Sequence, residues 1–255
     1  MRHPHLIFPL VLLPGLGCAP ATPPPQPGGD LASAVTAMLD SIPARSSFFA
    51  IHRPTGDTVS VRADQPMNTL SVIKIPVMIR AVRDVEAGRL RLTDRHLIRA
   101  EDLRRGSGLL RTFDVGLSPT IRDLMEQMII TSDNTATDLM IAAVGMDRVN
   151  LLLDSLGFRT TRLRMTTGAL FREVWIRVDP ANTRLSDEEV FARGFPSDSG
   201  SARRAFVLEG DSTRWLGVTT AREMVTMLEG ILDARYATRE HSDLMFAILG
   251  RQLYS

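Results

Sequence analysis

Apolar residues in this chain recur at two spacings, and the change from one to the other separates its elements. Over residues 30–40, Leu31, Val35, Met38 and Leu39 share one helical face, and Asp30 is placed to cap it. Residues 46–52 hold Phe48, Phe49 and Ile51, while residues 58–62 alternate Val59 and Val61 with Ser60 and Arg62. The turn-forming run Pro54-Thr55-Gly56-Asp57 lies between them, so a β-hairpin is predicted. Helical spacing then returns. Residues 71–87 run through Ile73, Val77, Met78 and Val82 and stop at Gly88. Residues 121–130 align Ile121, Leu124, Met125 and Met128 behind a capping box formed by Thr120 and Asp123. Helices over 135–144 and 148–156 end at Gly145 and Gly157, and two more, over 219–232 and 242–253, close the chain. Residues 165–215 show no clean period; Pro180, Pro196 and several Gly, Ser and Asp residues predict a long excursion with a short helix around 186–192.

The pattern predicts an α+β fold. A helix and hairpin over 30–64 would form a sheet layer, 65–235 a large helical domain, and 236–255 a final helix. The methionines within the helices read as core filler.

The first 18 residues differ in kind. Arg2 precedes a short apolar run over 6–13, and Gly15-Leu16-Gly17 leads to Cys18. This predicts a signal peptide over 1–18, too short for a spanning helix. Small residues before the sole cysteine resemble a lipoprotein box, which would make Cys18 the lipidated residue, anchored to a membrane on the periplasmic side. Residues 19–29 carry five of the eight prolines found up to residue 27, a composition suited to an extended tether.

Composition narrows the function. Of 255 residues, 44% are hydrophobic and 23% charged, with a net charge of +1, which is ordinary for a globular protein and gives no basic excess for nucleic acid. One cysteine excludes an intrachain disulfide. No phosphate-binding glycine loop and no histidine metal spacing is present, so neither cofactor nor metal is expected. The basic residues carry the sharper signal: of the 30 Lys and Arg residues, all but Lys74 are arginine. Arginine keeps its proton in proteins, whereas a buried lysine can lose it. A lone lysine therefore marks a position that calls for a titrating amine.

Lys74 lies three residues after Ser71, one turn along the same helix. A serine hydroxyl needs a neighbouring base to become a nucleophile, and a lysine serves once burial lowers its pKa. The helix N-terminus beneath Ser71 would favour a developing oxyanion. About 60 residues on, Ser132-Asp133-Asn134 sits between two apolar helices, with Ser132 placed to shuttle a proton and Asn134 to hold a substrate amide.

Ser-x-x-Lys followed by Ser-Asp-Asn resembles the penicillin-recognising serine enzymes, most closely the class A β-lactamase-like proteins. Arg105-Gly106-Ser107-Gly108-Leu109-Leu110 and Thr219-Thr220-Ala221 extend the resemblance, which covers about residues 30–253. It implies a β-lactamase/transpeptidase-like fold and a monomer. It also implies Ser71 as acylated nucleophile, Lys74 as base or relay, Ser132 as proton shuttle, and Asn134 and Ser107 as substrate contacts.

Two departures shape the expectation. The family's third motif, Lys-Thr-Gly on a later strand, has no counterpart here, nor has an arginine version of it. A chain truncated at its C-terminal end, with an incomplete antiparallel sheet, is therefore expected. The Glu-x-x-Leu-Asn string that carries the class A deacylation base is also absent. Glu173, Glu188, Glu189 and Glu209 lie in the excursion, and Glu209, shortly before Thr219, is the candidate base. The expected activity is β-lactam hydrolysis through a Ser71 ester. The alternatives are a D,D-carboxypeptidase or transpeptidase acting on peptidoglycan stem peptides, and a non-catalytic envelope protein of the same fold.

Overall fold

The computed structural model describes residues 27–193 and 198–253. Cys18, the leader and most of the tether lie outside them. The order of elements is α1 (Pro27–Asp40), β1 (Phe48–His52), β2 (Asp57–Val61), β3 (Met67–Asn68), α2 (Lys74–Glu86), α3 (Ile121–Ile130), α4 (Asn134–Val144) and α5 (Met146–Ser155). There follow β4 (Arg162–Leu163), α6 (Thr167–Val178), α7 (Asp187–Ala192), α8 (Ser199–Gly210), β5 (Gly217–Thr219), α9 (Ala221–Leu232) and α10 (Arg239–Leu249).

The hairpin forms where the alternation predicts it. β1 and β2 pair antiparallel, Phe48 opposite Val61 and His52 opposite Asp57. Helix α1 packs against β2, and α9 against β1. A second antiparallel sheet, in the order β3-β5-β4, goes beyond the sequence expectation, because strands of two or three residues carry no period. It ties the chain just before Ser71 to both ends of the excursion: Met67 pairs with Thr219, and Arg162 with Val218.

Helix α2 runs through the middle of the helical layer. Val77, Met78, Val82 and the preceding Ile73 are fully buried, and α3, α4, α5 and α10 pack around them. Met125, Met128, Met140, Met227 and Met245 are equally buried, in keeping with a core-filling role. Near the far end of α2, Asp84 is 2% exposed. Burial alone would raise its pKa, but hydrogen bonds from Arg80 and Arg89 and the charge of Arg148 hold it below the usual carboxylate range.

Several helix boundaries differ from expectation. The chain enters α2 through a 3-10 turn, Leu70–Ile73, so Ser71 precedes the α-helix instead of opening it. Pro76 is the third residue of α2; its missing N–H is one that a helix start leaves unpaired anyway, so it imposes no break. The last helix spans 239–249 instead of 242–253, because Thr238 caps it by accepting from the His241 N–H and Gly250 ends it.

The larger correction concerns residues 165–215. Two 12-residue helices, α6 and α8, stand where irregular chain is expected, beside the short α7 that the sequence predicts. Leu170, Phe171, Val174, Trp175 and Val178 of α6 recur at helical spacing, and Thr166 caps the helix through the Ala169 N–H at 3.1 Å. That signal is present in the sequence, outweighed by the prolines and glycines around it.

Candidate active site

The two motifs meet because α2 and α4 pack side by side. Ser71 sits in the 3-10 turn after Leu70, which takes a left-handed backbone, φ +43°. Ser132 lies between α3 and α4 with φ +53°. Such conformations cost a non-glycine residue roughly 1–3 kcal/mol and persist only where the surroundings enforce them.

Those surroundings are visible around Ser132. Asp133 caps α4, one carboxylate oxygen accepting from the Ala136 N–H at 2.8 Å. The other accepts from the Leu110 N–H, also at 2.8 Å, and so binds the 106–110 loop to the helix. Ser107 donates from its hydroxyl to the Ser132 carbonyl at 2.7 Å, and its own carbonyl accepts from the Asn134 N–H at 3.1 Å. The glycines flanking Ser107 allow this close approach. A Cβ on Gly108 would overlap the Asp133 backbone, and one on Gly106 would fall 2.5 Å from Phe171 Cζ and 2.6 Å from Asn134 Nδ2.

Ser132 Oγ stands 2.7 Å from Ser71 Oγ, and Lys74 Nζ stands 2.9 Å from Ser132 Oγ. Lys74 Nζ also donates to the Ser132 carbonyl at 2.7 Å and to Asn134 Oδ1 at 3.1 Å. The Asn134 amide is oriented by its own bond, Nδ2 donating to the Arg105 carbonyl at 2.8 Å. A neutral amine has two N–H bonds and one lone pair. Two of the neighbours of Nζ only accept, and the third is a hydroxyl that can donate, so the neutral form is satisfied in place. The ammonium form is satisfied too, once Ser132 Oγ turns to accept. A proton can thus move along Ser71, Ser132 and Lys74 with no heavy-atom rearrangement.

Burial makes this transfer accessible. Lys74 is 1% exposed. Loss of hydration pulls its pKa from 10.5 to about 8, against the opposing charges of Asp133 and Asp138.

Asp138 belongs to neither motif, yet it fastens the excursion to the site. Its carboxylate accepts from the Thr167 N–H at 2.7 Å, the Thr167 hydroxyl at 2.8 Å and the Gly168 N–H at 2.9 Å. Arg104 Nε adds a fourth bond at 2.7 Å. The helical spacing from Asn134 to Asp138 puts both on one face of α4, which is the available clue. The start of α6 is thereby held against α4, and Phe171 and Asn134 both close on Gly106.

The structure therefore gathers Ser71, Lys74, Ser132, Asn134 and Ser107 into one cluster. Ser107 braces the Ser132 carbonyl. Among the described residues, no carboxylate is hydrogen-bonded to the side chains of Ser71, Lys74 or Ser132. Glu173 pairs with Arg214 at 3.0 Å, and Glu189 accepts from the Ser186 N–H at 2.8 Å as part of the α7 cap. Glu188 lines a cavity of about 580 Å³ with Arg104, Arg105 and Arg111. Glu209 is the last residue but one of α8, and its side chain lies outside the described ones.

The model of the Beta-lactamase enzyme family matches residues 30–255. A beta-lactamase of Rhodobacter capsulatus is 30% identical over 150 residues, 58% of this chain and 51% of that protein, so the match spans about half the length of that relative. Among solved structures, a beta-lactamase from Sphaerobacter thermophilus DSM 20745 superposes with a TM-score of 0.67 at 28% identity, over 87% of this chain and 69% of that one. A mutant of PBP-A, solved as an acyl-enzyme complex with penicillin G, gives a TM-score of 0.67 at 18% identity, over 91% and 72% of the two chains, a likeness of fold. An ancestral class A beta-lactamase does the same at 0.65 and 20% identity, over 88% and 72%. Across nearly all of its described length, the chain belongs to the beta-lactamase enzyme family.

Proposed function

We infer that Ser71 is the nucleophile of a serine hydrolase that opens the amide of a β-lactam. The observation that carries this is the unbroken line of contacts from Ser71 Oγ to Ser132 Oγ at 2.7 Å and on to Lys74 Nζ at 2.9 Å, ending at an amine whose pKa is about 8. Ser71 Oγ attacks the lactam carbonyl while its proton passes through Ser132 to neutral Lys74. The tetrahedral centre then collapses, the C–N bond breaks, and Lys74 returns the proton through Ser132 to the departing ring nitrogen. The product is an ester on Ser71, whose hydrolysis restores the serine. Asn134, held by the Arg105 carbonyl, offers its side-chain amide to the substrate.

A second reading is supported by what α6 presents near the site. Towards Gly106 and Asn134, α6 presents Phe171 and the Thr167 hydroxyl, and its one carboxylate, Glu173, is paired with Arg214. A Ser71 ester without a base to activate water would persist, as in a penicillin-binding D,D-peptidase acting on peptidoglycan stem peptides. Either function suits an exported protein tethered through Cys18.

Intact mass after incubation with benzylpenicillin, with Ser71→Ala alongside, tests both readings. Wild type is expected to gain one penicillin mass, and the variant none. A persistent adduct supports the peptidase; drug turnover with only a transient adduct supports the β-lactamase. An equal adduct in both proteins would exclude Ser71 as nucleophile.

A further inference from the structure

Arg104 and Asp138 belong to neither motif, yet they lie where they can act on the base. Asp138 follows Asn134 by one turn on the same face of α4, and Asn134 Oδ1 accepts directly from Lys74 Nζ. Two buried carboxylates, Asp133 and Asp138, act on Lys74, and the charge of each favours the ammonium form. They are held differently. Asp133 accepts from the Ala136 and Leu110 N–H groups and pairs with no cation among the described residues. Asp138 has the Arg104 guanidinium against it, Nε at 2.7 Å. The charged groups that α3, α5 and α10 bring to α2 pair elsewhere: Glu126 with Arg122 and Arg251, Arg148 with Asp84, and His241 with Glu86. Arg80 and Arg89 also pair with Asp84, near the far end of α2.

The Arg104–Asp138 contact is fixed from both sides. Arg104 Nη1 donates to the Glu101 carbonyl at 2.6 Å and to the Leu103 carbonyl at 3.2 Å, and the Arg104 backbone N–H donates to the Thr135 hydroxyl at 2.9 Å. Gly168 leaves room for the guanidinium: a Cβ there would fall 2.6 Å from Arg104 Nε and 3.0 Å from Asp138 Oδ2. An arginine keeps its charge at every working pH, so Asp138 stays neutralised while Lys74 titrates.

We propose that Arg104 is a positioning residue for the proton transfer: by neutralising Asp138, it stops that buried carboxylate from holding the proton on Lys74. The inference rests on Lys74 being the base of the relay. It places the control of that base on a loop outside both motifs, through the same carboxylate that docks Thr167 and Gly168.

The test follows the single lysine of the full chain, labelled with 13C and 15N, against pH in wild type and in variants of the pair. Arg104→Gln leaves the Asp138 charge unopposed, and the Lys74 midpoint should rise by about one pH unit. Acylation by benzylpenicillin near neutral pH should then fall about tenfold and recover at high pH. Asp138→Asn removes the carboxylate charge and should move the midpoint the opposite way. The double variant should fall between the two. A role in packing alone would not move the midpoint in opposite directions. Gly168→Ala changes no charge but displaces the guanidinium, and it should raise the midpoint even where Arg104→Gln fails to fold. An unchanged midpoint in folded Arg104→Gln or Gly168→Ala, or shifts of the same sign in Arg104→Gln and Asp138→Asn, would overturn the role of Arg104 and leave the relay standing. A wild-type midpoint at the ordinary lysine value overturns Lys74 as the base, and this inference with it.

Discussion

The loop carrying Ser132 and the excursion over residues 165–215 both reach Asn134 and are built on opposite principles. The first is polar, buried and closed: each side chain of Ser107, Ser132, Asp133 and Asn134 has a partner within the cluster, and the glycines leave no slack. The second sets α6 and α8 about a largely apolar space, and is joined to the site through the Asp138 carboxylate and the contacts of Phe171. The difference separates two jobs. A satisfied polar network fixes the positions of groups that exchange a proton. Apolar packing makes no such directional demand and can vary without disturbing that exchange.

Changes to the two regions should therefore be read out differently. Ser132→Ala removes the link between Ser71 and Lys74, and acylation by benzylpenicillin is expected to fall about 10²–10⁴-fold with the melting temperature little changed. A loss below tenfold, measured by stopped-flow or timed mass spectrometry, would mean that the proton takes another route. Asp138→Ala acts on the junction. It leaves Arg104 and the start of α6 without their shared partner, at a cost of about 3–5 kcal/mol in urea unfolding. A cost under about 1 kcal/mol would show that the excursion docks by its apolar contacts alone.

The rate should also depend on pH through Lys74. Its pKa is lowered to about 8, so the base form is lost as pH falls below that value, and acylation should drop about tenfold per unit on the acid side. The profile should be flat above that midpoint. A flat profile across pH 6–8 would contradict a lysine base with that pKa. The smallest effect is expected at the α6 cap, where Thr166→Ala should cost about 1 kcal/mol and leave acylation unchanged. A change in acylation rate without a change in stability would mean that the cap positions Phe171.

The same contrast explains what can be read in advance. The catalytic cluster is legible because its chemistry uses fixed residue types at short spacing, Ser71 with Lys74 and Ser132 with Asn134, and because one lysine among arginines has few other uses. The long amphipathic helices and the hairpin are legible from period alone. Ser107 belongs near the site on its motif, but its hydroxyl bond to the Ser132 carbonyl depends on a loop path that no periodicity encodes. The β3-β5-β4 sheet escapes because its pairings are far apart in sequence, Met67 with Thr219 and Arg162 with Val218, and its strands very short. Asp138 escapes because a carboxylate on an apolar helix has no motif, and its partners come from Arg104 and from the excursion. The apolar space requires α6 and α8 to be recognised as helices, and only α6 carries a clear apolar stripe.

Everything in the relay depends on burial holding the Lys74 amine ready to give up its proton near neutral pH. Because the chain has one lysine, uniform 13C/15N labelling of lysine yields a single side-chain signal whose shift can be followed against pH. The Lys74 signal is expected to show a midpoint at about 8, moved from the ordinary 10.5. A midpoint at the ordinary value would show Lys74 charged throughout the working range, and the relay from Ser71 through Ser132 would have no base at its end.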